Sequence, residues 1–262
     1  MDIIIFGGQS NMQGQTECLP EPNEHVEGAL EYLYLKNCLI PLCHPVGENI
    51  EIPDESDNYL RDIMAGMLGE ASKSHGSLVP DFCRSYICET GKRVVAIHAA
   101  KGATKICDWL PGTRRYDVAL KKIKGGIASA RTLEPVEKIY YVWLQGESDA
   151  IDGEGTGEED YLRMLTDYKN ALVRDAGIDK FSIIRVGYFT VDTPLRDEAI
   201  MRAQDRICEL EPDCVMLTQM LSELCKNPEY INPNARAHFN NKAMTLIGKA
   251  AGKSLGVLRN QS

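Results

Sequence analysis

Residues 3–14 read IIIFGGQSNMQG. An apolar run enters two glycines and breaks at Gln9-Ser10-Asn11. Such a short, unalternated run fits a strand buried on both faces, as in a parallel sheet. Gly7 and Gly8 permit a tight turn at its end. Ser10 then has two readings. It is a helix N-cap, or it is a nucleophile exposed where a strand turns.

Similar runs recur at LEYLYL (30–35), RVVAIHAA (93–100), KIYYVWLQ (138–145), FSIIRVGYF (181–189) and CVMLT (214–218). Helical patterns separate them at 59–73, 79–91, 115–131, 158–176, 195–210 and 240–255. In the first of these, Leu60, Ile63, Met64, Met67 and Leu68 fall on one stripe. Strands alternating with helices predict an α/β fold with a mostly parallel sheet of about five strands. Residues 15–58 are the exception, rich in Pro, Glu and Asn with one strand-like piece. Long irregular insertions of this kind are usually functional or mobile. No repeat or linker interrupts the chain, so residues 1–262 are expected to form one domain.

The chain has a net charge of -9, which argues against nucleic acid or an anionic membrane as partner. No apolar run approaches the roughly 18 residues of a membrane span. The run IIIF is too short for a signal-peptide core and no basic segment precedes it, which predicts a cytoplasmic protein. The nine cysteines are odd in number and contain no Cys-x-x-Cys. They are expected to be small core residues rather than disulfides or metal ligands.

Ligands of open α/β sheets bind beyond the carboxyl ends of the strands. Three stretches stand at such ends: Ser10, AAKGAT (99–104) and LQGESDA (144–150). A serine hydroxyl needs an adjacent base, and the tetrahedral intermediate of acyl transfer needs donors for its oxyanion. The Ser10 amide, the Gly102 amide and the Gln145 side chain are candidate donors. Gly102 also reads as a plain loop glycine, and Gln145 as a polar residue ending a strand. The stretch GEGTGEED (153–160) is glycine-rich but acidic, so it reads as an exposed loop and not a phosphate cradle.

Taken together, these stretches resemble the SGNH hydrolases, in the branch of the sialate O-acetylesterases and carbohydrate esterase family six, the acetylxylan esterases. FGGQSNMQG resembles the branch's Gly-Gln-Ser-Asn-Met block. AAKGATKICDW supplies Ala100, Gly102, Thr104 and Trp109 of its second block, with Ala103 in place of a second glycine. WLQGESDA matches its third block from Trp143 to Asp149. LCHPVGE (42–48) resembles a further segment, and the blocks span nearly the whole chain in the expected order. The resemblance implies a three-layer α/β/α, flavodoxin-like fold and a serine esterase acting on acetylated sugars.

It also implies a base. Of five histidines, His238 lies in INPNARAHFNNKAM, where the family has Asp-x-x-His before an apolar residue. His238-Phe239 fits, but Ala235 replaces the aspartate, and no Asp or Glu follows Glu229. The branch offers Glu147 of the third block as the substitute that orients the imidazole. A Ser–His dyad, or Glu147 merely organising its loop with Asp149, are the alternatives. His98, inside an apolar strand, reads as a core histidine. Gln9 and Asn11 flank the serine and either fix the turn or touch substrate, Asp149 is a further candidate contact, and Trp109 is a candidate sugar platform.

The expected site is therefore Ser10, His238 and Glu147, with an oxyanion hole of Ser10, Gly102 and Gln145. No cofactor or metal is required. The expected partner is a small-molecule or oligosaccharide acetyl ester, of the acetylated xylo-oligosaccharide or sialic acid type. A general short-chain ester or lipid esterase and a non-catalytic carbohydrate-binding relative are the rival readings.

Overall fold

The computed structural model describes residues 1–48, 75–151, 155–189, 194–235 and 238–261. The helical pattern at 59–73 lies outside the described residues. Seven strands form one sheet: β1 (Asp2–Gly8), β2 (Ala29–Leu33), β3 (Cys38–Pro41), β4 (Val94–His98), β5 (Lys138–Leu144), β6 (Lys180–Ile184) and β7 (Cys214–Thr218). Their order is β3-β2-β4-β1-β5-β6-β7, and every neighbouring pair is parallel except β2 and β3.

The expectation of about five strands was low: LEYLYL in the segment 15–58 is a strand, β2, and the same segment hides a second, β3. The pair β2–β3 is an antiparallel hairpin at the sheet edge. Its outer strand, CLIP, is half-exposed, so it lacks the continuous apolar run that marks the buried strands. The run at 181–189 is strand only to Ile184.

The helices are α1 (Ser10–Gln13), α2 (Val79–Thr90), α3 (Arg114–Arg131), α4 (Glu147–Ile151), α5 (Glu158–Ala176), α6 (Pro194–Leu210), α7 (Leu221–Leu224) and α8 (Asn241–Gln261). A 3-10 turn spans Ile106–Trp109. Helices α2 and α8 pack together on one face of the sheet, and α3, α5 and α6 lie on the other. Helix α2 ends where expected, at Gly91 in the left-handed conformation. Ile3 to Phe6 are fully buried between the layers, as a central strand requires.

Only two of the nine cysteines, Cys83 and Cys214, are buried. The expectation that most are core residues fails because several lie on outward-facing positions of helices and loops. Among the described residues, no helix is long and apolar enough to cross a membrane.

The register positions the site. Phe6 pairs with His98 and Gly8 with Leu144, so β1, β4 and β5 end level at one edge. Two hydrogen bonds extend the alignment beyond the strands: Lys101 N to Gly8 O at 2.8 Å and Gln9 N to Leu144 O at 3.0 Å. Gly8 has φ +139°, and a Cβ there would lie 1.9 Å from the Leu144 carbonyl oxygen. We expect Gly8→Ala to lower the unfolding free energy by about 2 kcal/mol or more, through backbone strain together with this clash. Urea unfolding measures it, and an unchanged midpoint would contradict the tight approach of β1 to β5.

Candidate active site

Chain leaving β1 turns at once into α1, a single helical turn that opens with Ser10. Met12 N and Gln13 N bond back to Gln9 O, and Gly14 N to Ser10 O. As the first residue of the turn, Ser10 has an amide with no partner inside the helix. Among the described residues neither that amide nor Ser10 Oγ forms a hydrogen bond. The N-cap reading fails on geometry: Gln9 holds the cap position.

His98 anchors the turn from below. It is buried, its Nε2 lies 3.2 Å from Met12 O, and burial pulls its pKa down to about 3. A neutral ring donating to that carbonyl is the consistent state. This is the core histidine that the sequence predicts.

The loop after β4 brings Gly102 against the serine. A Cβ on Gly102 would lie 3.5 Å from Ser10 Cβ and 2.9 Å from Gln13 Oε1. Ala103, in place of the family's second glycine, takes φ +56°, a conformation that glycine reaches more easily. Gly102 N is already engaged, donating to Gln13 Oε1 at 2.8 Å.

Gln145 is fully buried. Its Nε2 faces Asp149 Oδ2 at 2.6 Å, Thr104 O at 2.7 Å and Gln9 Oε1 at 3.2 Å. Its Oε1 accepts from Tyr161 Oη at 3.0 Å. Turning the amide over would set its oxygen against three acceptors, so this orientation is fixed. Two N–H groups facing three acceptors leave none for an oxyanion.

The other expected contacts are also buried. Gln9 Oε1 takes Gly146 N and Ser148 N at 3.4 and 3.3 Å, so Gln9 fixes the loop after β5. Asp149 accepts from Gln145, from Ile106 N at 3.0 Å and from Thr156 Oγ1 at 2.8 Å. Burial pushes its pKa up, and these hydrogen bonds oppose the shift. Trp109 is 1% exposed, donates to Thr104 Oγ1 at 3.0 Å and packs edge-on against Trp143 at 5.5 Å. The expected sugar platform is therefore core, because the 3-10 turn directs the indole inward.

Asn11 joins the remaining parts. Its Nδ2 donates to Glu147 Oε1 at 2.9 Å, and its Oδ1 accepts from Phe239 N at 3.3 Å. Phe239 follows His238. An antiparallel bridge between Ile231 and Phe239 closes the loop that carries the histidine. His238 N bonds to Ala235 O at 3.2 Å, and the Phe189 ring stands edge-on to the imidazole at 6.1 Å. Asn11 thus touches no open surface. It ties together the serine turn, the carboxylate and the histidine loop.

Glu147 is 3% exposed, and burial raises its pKa to about 6 against the opposing Asn11 hydrogen bond. Its Oε2 is buried without a hydrogen-bond partner among the described residues. Beside the turn lies a cavity of about 380 Å³ of mixed polar and apolar lining, formed by Gln13, Gly14, Gln15, Thr16, Glu17, Val46, His75, Asn232, Asn234 and Ala235.

A rise from 4.5 to about 6 corresponds to about 2 kcal/mol of penalty on the ionised folded state. Since the folded pKa is the higher, the penalty is absent below 4.5 and complete above about 6. We expect Glu147→Gln to unfold at higher temperature than the wild type at pH 8 and at the same temperature at pH 4. Calorimetry checks this, and equal melting at both pH values would contradict the buried charge.

Residues 1–255 match the family described as carbohydrate esterase, sialic acid-specific acetylesterase. No curated protein sequence matches the chain. Among solved structures, it is similar to a protein from Arabidopsis thaliana, with TM-score 0.68, 15% identity and 98% of each chain covered. It is similar to NanS with TM-score 0.67, 13% identity, and 99% and 98% of the two chains covered. A carbohydrate acetylesterase from Xanthomonas citri aligns at TM-score 0.58 and 13% identity, with all of this chain and 57% of that one covered. At these identities the likeness is one of fold.

Proposed function

The chain belongs to the sialic acid-specific acetylesterase family of carbohydrate esterases, and from that membership we propose a substrate and a set of acting residues. The substrate is an O-acetylated sugar of the sialic acid or xylo-oligosaccharide type. Ser10 Oγ attacks the acetyl carbonyl while His238 takes its proton. The tetrahedral oxyanion is held by the Ser10 and Gly102 amides, the latter exchanging its bond to Gln13 for one to substrate. His238 then protonates the leaving sugar hydroxyl. Water, deprotonated by the same histidine, releases acetate from Ser10.

Glu147 is the carboxylate behind the histidine in this reading. It stands in for the aspartate that Ala235 replaces, and its unpartnered Oε2 is an acceptor suited to an imidazole N–H. The carrying observation is the Asn11 side chain, which links the serine turn to both Glu147 and the residue after His238.

Acetate release from acetylated sialic acids and xylo-oligosaccharides tests the proposal. We expect Ser10→Ala to abolish release. We expect Glu147→Gln to lower kcat by about 10⁴-fold, the order seen when a triad loses its orienting carboxylate. Equal release by wild type and Ser10→Ala would overturn the mechanism, and an unchanged kcat in Glu147→Gln would remove Glu147 from it.

A further inference from the structure

Gln13 is three residues after Ser10 in a single helical turn, so the two side chains share a face. It is 5% exposed. Its Oε1 accepts from Gly102 N at 2.8 Å and stands 3.5 Å from Gln15 Nε2. With two donors facing that atom, the oxygen and nitrogen of the amide are not interchangeable. The nitrogen is consequently the orphan: Gln13 Nε2 is buried and has no hydrogen-bond partner. Folded chains seldom leave a buried donor unsatisfied, and such a group calls for an explanation.

Two gaps meet at this residue. Gln145 has no N–H left for an oxyanion. Gly102 N, a donor that the chemistry needs, is capped by a carbonyl oxygen. That oxygen occupies the position a reacting carbonyl would take.

We propose that Gln13 is the side-chain donor of the oxyanion hole, acting in place of Gln145. The inference rests on the esterase reading of Ser10. In the free protein Gln13 Oε1 caps the Gly102 amide. An ester carbonyl competes for that N–H and displaces it. The terminal torsion of a glutamine is broad and roughly two-fold, and the present position of Nε2 is held by no hydrogen bond. A half-turn of the amide, with the side chain drawing back from Gly102 N, points Nε2 at the place Oε1 has left, the same point that Gly102 N faces. When Ser10 Oγ forms its bond to the acetyl carbon, its proton passes to His238 and the carbonyl π pair becomes the oxyanion. Gly102 N–H and Gln13 Nε2–H then both donate to it. Collapse restores the carbonyl, expels the sugar oxygen with the proton from His238, and frees the amide to turn back.

The test uses p-nitrophenyl acetate with the wild type, Gln13→Met and Gln13→Glu, followed by inhibition with a phosphonate that mimics the tetrahedral intermediate. Methionine fills the space without a donor. Glutamate keeps the shape and repels an oxyanion. We expect both variants to lose about 10²–10³-fold in kcat with KM nearly unchanged. We also expect slower inactivation by the phosphonate, with the melting temperature of Gln13→Met close to wild type. If Gln13→Met does not fold, the isosteric Gln13→Glu carries the test. A gain in kcat/KM in Gln13→Met would make the residue only a plug on Gly102 and overturn the proposal. Wild-type kcat in a folded variant would overturn it too. A wild type that releases no p-nitrophenolate would sink the esterase reading itself, and with it this role.

Discussion

Asn11 gives one hydrogen bond to Glu147 and takes one from the amide after His238. Those two bonds join segments more than a hundred residues apart in sequence, at a place where the side chain is 1% exposed. Water does not compete there, so each bond is more directional and more costly to break than on the surface. The position of Ser10 relative to Glu147 and to the histidine loop depends on this link. Removing the amide would leave a buried carboxylate with neither oxygen satisfied.

The surrounding sheet exists to make such a link possible. Level ends of β1, β4 and β5 deliver three loops to one edge. A dense network of Gln9, Gln145, Asp149, Thr104 and Tyr161 then freezes the loop after β5. Its members resemble substrate contacts by residue type, yet all are buried. They satisfy one another and hold the reacting groups rather than touching the ligand. Buried polar networks of this kind rigidify a site only when every member is paired. Two of the described buried side-chain atoms without a partner, Glu147 Oε2 and Gln13 Nε2, stand beside the serine turn.

Much of this was legible in the sequence, for physical reasons that differ by residue. The continuous apolar runs marked the central strands because both sheet faces are covered. Gly8 signalled the turn because only glycine takes its conformation at that contact. The outer strand of the edge hairpin was hidden because a half-exposed strand carries no such run. The inward turn of Trp109 was equally hidden, since a tryptophan in a motif block reads alike whether it faces sugar or core. Gln145 misled for the same reason: its partners Thr104, Asp149 and Tyr161 lie 41, 4 and 16 residues away. Gln13 carried a usable signal, its three-residue spacing from the serine, but spacing alone cannot tell which atom of an amide lacks a partner.

The most direct test of the coupling through Asn11 is the rate and position of phosphonylation by an ester-mimicking phosphonate in wild type and Asn11→Ala, mapped by peptide mass spectrometry. The account predicts a single adduct on Ser10 in the wild type, forming at least about tenfold more slowly in Asn11→Ala, since the hydrogen bonds lost go to a buried carboxylate and its neighbouring loop. An adduct on any other residue, or equal rates in the two proteins, would contradict it.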